Sequence, residues 1–120
     1  MFADPQTLTV NADPKVMPRV SGNGYESIYR TAQGVYALRI SHDLQAKKER
    51  HLVEFSRKDL VTNPYSTLQQ DAILKVQLVI DNPNWGLISD TEITYCVNAL
   101  CAWLTASSSA AVTKLLGNES

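Results

Sequence analysis

Residues 35–60 read VYALRISHDLQAKKERHLVEFSRKDL, two alternating runs joined by a short polar turn, and their parity decides the fold. Successive side chains of a strand point to opposite faces. Tyr36, Leu38 and Ile40 therefore share one face, and Ala37, Arg39 and Ser41 the other. Over 48–60 the same split sets His51, Val53 and Phe55 against Arg50, Leu52, Glu54 and Ser56. One face is apolar; the other is polar and partly basic. Residues 67–81 repeat the plan, with Ala72, Leu74, Val76, Leu78 and Ile80 against Ile73, Lys75, Gln77 and Val79. Upstream, residues 25–32 precede the turn pair Gln33 and Gly34, and a Gly-bearing turn between alternating runs signals a hairpin. The stretch 24–81 thus reads as an antiparallel meander with one buried and one mixed face.

At the N-terminus, residues 6–11 alternate, Ala12, Asp13 and Pro14 are expected to turn, and residues 15–21 return, a hairpin over 6–21. Pro18 has no N–H for a ladder, which confines its strand to an edge or a bulge. The period changes after residues 82–86. Ser89 and Glu92 spell a capping box, and Ile93, Val97, Leu100 and Leu104 recur at helical spacing, widened by Cys96 and Trp103. Residues 106–109 break this helix, and a second runs from about 110 to 116 before Gly117, so two C-terminal helices lie within 89–117. The whole, 1–120, is expected to be one α+β domain whose helices cover the apolar face of the sheet. Two short helices are too little for a five-stranded sheet. Two subunits meeting edge to edge, each laying its helices across the other's sheet, would close the core around a two-fold axis; the alternative is that the N-terminal hairpin or the loop over 61–66 folds over the gap.

Composition agrees with a globular chain, 44% hydrophobic and 19% charged. Residues 93–112 are diluted by Thr, Ser, Asn and Tyr and are expected to fall short of a membrane span, so the reading is a soluble protein with no membrane partner. No basic segment leads into an apolar one at the N-terminus, so no secretory signal is expected and synthesis is placed in the cytoplasm. Cys96 and Cys101, five apart, suit neither a redox pair nor a zinc knuckle and are read as small apolar fillers. Trp85 and Trp103 are assigned to packing or an interface, and Tyr25 and Tyr29 share one strand face, suited to packing or to base stacking. His42 and His51 fall on the core parity and are read as packed. The sequence contains no phosphate loop, nucleophile elbow or metal-ligand spacing, so neither an enzyme, a cofactor nor a metal is expected.

Charge is segregated. Between residues 30 and 58 stand Arg30, Arg39, Lys47, Lys48, Arg50, Arg57 and Lys58 against Asp43, Glu49 and Glu54, although the net charge of the chain is −1. Such segregation allows one face to attract phosphate.

The order QTLTV (6–10), GYESIY (24–29), ALRISHD (37–43), KKERHLVEF (47–55) and ILKVQLVI (73–80) resembles the coat proteins of the single-stranded RNA bacteriophages, the levivirus-like group, and within it the short Caulobacter RNA phage type. The resemblance implies the RNA-phage coat protein fold with an interlocked dimer, assembly into an icosahedral virion shell, packaging of single-stranded genomic RNA, and binding of an RNA hairpin as a translational repressor. It also implies manufacture in the cytoplasm of a bacterial host, and a connection over 61–70 that lines symmetry axes. In such proteins the polar sheet face looks inward onto RNA. Here that face carries Arg39, Ser41, Arg50, Glu54, Lys75 and Gln77, with Lys47 and Lys48 at the turn. Arg39, Arg50, Lys75 and Lys48 suit phosphates, whereas Ser41 and Gln77 suit base edges. Ala37, Leu52 and Val79 offer flat surface beneath a base, and Glu54 repels phosphate unless it pairs with Arg50, Lys75 or an amino group of a base. The other reading is a free homodimeric RNA- or ligand-binding module that forms no shell.

Overall fold

The computed structural model describes residues 2–83 and 87–119, the Val61 side chain excepted. It comprises two compact units, residues 1–82 and 83–120. Trp85 lies outside the described residues.

The first unit holds a two-stranded hairpin and a five-stranded sheet. Strands β1 (Gln6–Val10) and β2 (Asp13–Met17) pair antiparallel, with Val10 opposite Asp13. The turn is therefore Asn11 and Ala12, not the expected residues 12–14. Both carry positive φ, 50° and 63°, the geometry whose twist matches a two-residue hairpin. Pro14 belongs to β2, opposite Thr9, one pair beyond the residues flanking the turn. Pairs alternate between bonded and non-bonded in such a ladder, so the missing N–H costs nothing there.

Pro18 splits the expected return strand. β2 ends at Met17, and the chain resumes as β3 (Arg19–Gly22), an edge strand of the larger sheet with a bulge between Arg19 and Ser21. Then follow β4 (Glu26–Arg30), β5 (Tyr36–Leu44), β6 (Lys48–Thr62) and β7 (Gln69–Pro83), neighbours in that order. The β4–β5 and β5–β6 pairs are antiparallel in unbroken register, with Leu38 between Tyr29 and Phe55. Arg50 meets Asp81 and Lys58 meets Asp71, so β7 runs opposite to β6.

Met17, Tyr29, Leu38 and Ile40 are the buried core, and Leu8, Tyr36 and Phe55 pack against them. The N-terminal hairpin thus lies on β4 and β5. The Tyr29 hydroxyl, inside this core, accepts from Arg19 Nη2 at 2.8 Å. Arg19 Nη2 also donates to the Phe2 carbonyl, and the Arg19 backbone N–H to Asp4, which ties the N-terminal segment to the sheet edge. The hairpin leaves the β7 end of the same face open: Leu74 is 62% and Val76 61% exposed.

The second unit is built on α1 (Asp90–Leu116). Ser89 caps it with extended backbone, its hydroxyl accepting from the Glu92 N–H, and acidic Asp90 and Glu92 sit where the helix dipole favours them. α1 is continuous in its bounds, but helical backbone runs only on either side of residues 106–109, the break expected there. Ala106 is extended, and Ser107, Ser108 and Ser109 take φ of 53°, 57° and 65°. Gly117 has a negative φ, and the left-handed residue after the helix is Asn118, whose short polar side chain tolerates that region.

No residue of α1 is buried, and Tyr95, Leu100 and Trp103 are exposed. Cys96 and Cys101, expected to pack as small apolar fillers, are free and exposed. By length and composition alone residues 90–116 would suffice to cross a membrane, against the shortfall expected for residues 93–112, but the non-helical backbone at 106–109 interrupts the run.

Candidate nucleic-acid interface

The register places the expected polar side chains together. Arg39 lies between Ile28 and Glu54, and Ser41 between Glu26 and Leu52. Lys75 and Gln77 reach the same carboxylate, that of Glu54, from the other side. Arg39, Ser41, Arg50, Glu54, Lys75 and Gln77 therefore share one face of the sheet, opposite the Tyr29–Leu38 core. Lys48 opens β6 with the same parity and is exposed beside the β5–β6 turn.

Glu54 organises the centre of this face. It is 7% exposed, and its carboxylate accepts from Gln77 Nε2 at 3.2 Å and lies 3.7 Å from both Arg39 Nη1 and Lys75 Nζ. A buried carboxylate is tolerated when such partners compensate its lost hydration. Arg39 is also held by Glu26, its Nε donating at 3.1 Å, and Arg50 lies 3.7 Å from Asp81. These contacts fix the cations but also spend much of their field. The parity set is Arg30, Arg39, Lys48, Arg50, Lys58 and Lys75 against Glu26, Asp43, Glu54, Asp71 and Asp81, a surplus of one positive charge. The expected basic surface is a nearly balanced one. Sequence parity located Glu54 on the face with Arg50 or Lys75 as its partner; the structure gives it Lys75, adds Arg39 and Gln77, and turns Arg50 to Asp81 instead.

Aromatic stacking has no donor from β4 here. Tyr29 is buried in the core, and Tyr25, though exposed, shares its parity on the opposite face. His42 and His51 also lie on that opposite face, directly across from each other with Nδ1 atoms 2.8 Å apart and rings edge to face. One ring must donate and the other accept. His51 Nε2 is 3.5 Å from Glu49. Among the described residues, no group of three His, Cys, Asp or Glu is placed to hold a metal ion.

Residues 3–83, nearly all of the sheet unit, match the family model of the coat protein of phage phiCb5. The chain belongs to that family. It is an RNA phage coat protein, as the order of its strands suggested. The coat protein is similar along its length to the virus-like particle of bacteriophage AVE019, at 13% identity over 89% of this chain and 90% of that one, with a TM-score of 0.68. For the virus-like particle of Beihai levi-like virus 21 the values are 7% identity, 100% and 97% coverage, and 0.69. An unassembled bacteriophage coat protein described as an RNA-binding dimer shares 16% identity over 87% of this chain and 85% of that one, at a TM-score of 0.54. At these identities the likeness establishes the fold, including the helical tail that the family model does not reach. No curated protein matches the sequence.

Proposed function

We propose that two copies of this coat protein join along β7 and that each lays α1 across the other's sheet, giving a dimer that assembles into an icosahedral shell around single-stranded RNA. The observation that carries this reading is the open half of the sheet. β7 is a 15-residue edge strand, and Leu74, Val76 and Val53 on its side of the apolar face are exposed while α1 buries none of its residues. A long free edge beside exposed apolar surface is a template for another chain. A second copy supplies both what the edge lacks and what the helix lacks, and the RNA-phage fold is consistent with that pairing.

The opposite face then looks into the particle. Arg39, Arg50 and Lys75 meet phosphates, with Lys48 adding to them from the turn, and Ser41 and Gln77 hydrogen-bond base edges. Glu54 acts as their anchor rather than as a contact. On this reading the dimer also binds an RNA hairpin and represses translation, and the protein is a structural component of the virion, made in the cytoplasm of a bacterial host. Light scattering of the purified full chain, with absorbance at 260 and 280 nm, tests it. Megadalton particles carrying nucleic acid are expected; a lone monomer or dimer at physiological salt overturns shell formation.

A further inference from the structure

The charges of the inner face are unevenly compensated. At its centre Arg39, Lys75 and Arg50 are tied to Glu26, Glu54 and Asp81. Towards the β4–β5 turn the balance changes. Among the described residues Arg30 makes no ion pair, and Lys58 has only an exposed 3.7 Å contact with Asp71. Both cations line a concavity of about 370 Å³ whose other walls are Gly34, Val35, Ala37, Ser56 and Ile73, with no carboxylate among them. That volume lies within the roughly 300–1,000 Å³ of small-ligand sites.

We infer that this concavity is a nucleotide pocket, separate from the ion-paired centre of the face, in which Arg30 and Lys58 hold a phosphate while an unstacked base lies on Ala37 and Ile73. The chemistry of the walls carries the assignment. An anionic group is favoured by two cations, and a flat apolar group is favoured by Ala37 and by Ile73, which is 60% exposed. The Ser56 hydroxyl makes no hydrogen bond among the described residues and stands between the two kinds of wall, available to a base edge or a ribose. A phosphate joined to a base by a short sugar is the ligand that satisfies all three. The inference rests on the inner face being the RNA side. Within that reading it places the strongest electrostatic contact at the turn end, where fewer counter-ions compete.

The test is fluorescence anisotropy of an unstructured single-stranded RNA of about ten nucleotides, titrated with RNA-free full-length protein across a salt series. The double variant R30A/K58A is expected to bind about tenfold more weakly at low salt, with the log–log salt slope reduced by about 0.7 for each cation that met a phosphate. Ala37→Leu, which fills the floor without changing charge, is expected to weaken binding with the slope kept. K15A/K114A, which removes the same charge elsewhere, is expected to leave both nearly unchanged. If R30A/K58A and Ala37→Leu bind as the wild type while R39A/K75A is weakened, the pocket is overturned and the RNA face stands. If K15A/K114A matches R30A/K58A and Ala37→Leu has no effect, the attraction is diffuse and the pocket is again overturned. A wild-type protein that binds no RNA at any salt removes the RNA face and the pocket with it.

Discussion

The two ends of the apolar sheet face are finished in different ways. Over β4 and β5 the chain covers itself: β1 and β2 fold back, Met17 and Leu8 close on Tyr29, Leu38 and Ile40, and the core is complete within one copy. At β7 the same alternation produces Leu74 and Val76 with nothing of the first unit over them. The residues are equally apolar at both ends, so hydrophobicity alone does not separate intrachain core from interface. What separates them is reach. A hairpin of five-residue strands is roughly 17 Å long, about the width of three to four strand spacings, and it is anchored beside β3.

Breaking the open end should have the largest effect. Val76→Asp places a carboxylate where a second copy is to seal the sheet, and an unpaired buried charge costs several kcal/mol. The dimer should dissociate by at least a hundredfold, read by size exclusion with light scattering, and particles should be lost. An unchanged dimer would mean that the β7 face is not the interface. At the closed end, Met17→Ala should cost about 2–5 kcal/mol in denaturant unfolding, as is usual for a buried large-to-small change, without altering the stoichiometry of the protein that remains folded. The pair of variants thus sorts the two ends by what each disturbs.

On the polar face the contrast continues in electrostatic form. Glu54→Gln keeps a side chain able to bond Gln77 but releases Arg39 and Lys75 from their shared counter-charge. RNA binding should strengthen at low salt and its salt slope steepen by about 0.7 per phosphate newly met, while stability falls by about 1–3 kcal/mol. A shallower slope would place Glu54 in contact with the RNA itself. The smallest change concerns the tail. Ser107→Gly should raise the melting temperature slightly, since a left-handed non-glycine residue costs about 1–2 kcal/mol; a fall would show that the Ser107 side chain is needed at the kink.

Much of this was legible beforehand because strand parity and helical period are properties of the chain itself. Alternation over residues 35–60 assigned Arg39, Arg50 and Glu54 to one face and Leu38 and Phe55 to the other, and Pro18 marked an edge. The serines at 107–109 marked the break between two helical stretches, and the backbone leaves helical geometry there. Other features depend on what meets across space. The carboxylate of Glu54 gathers groups from β5 and β7, and no spacing encodes that convergence. The first hairpin turned at Asn11 and Ala12 because Pro14 is harmless at a non-bonded pair, a matter of register and not of composition. Cys96 and Cys101 read as fillers because an apolar helix suggests burial, yet burial requires a covering surface.

The central claim is that a second copy completes the β7 edge. Hydrogen exchange of the purified protein, quenched and read residue by residue, tests it most directly. The account predicts that every other amide along β7, those pointing away from β6, is protected as strongly as the amides of β5. Outward amides of β7 that exchange as fast as the loop at residues 63–68, while β4 and β5 remain protected, would contradict it.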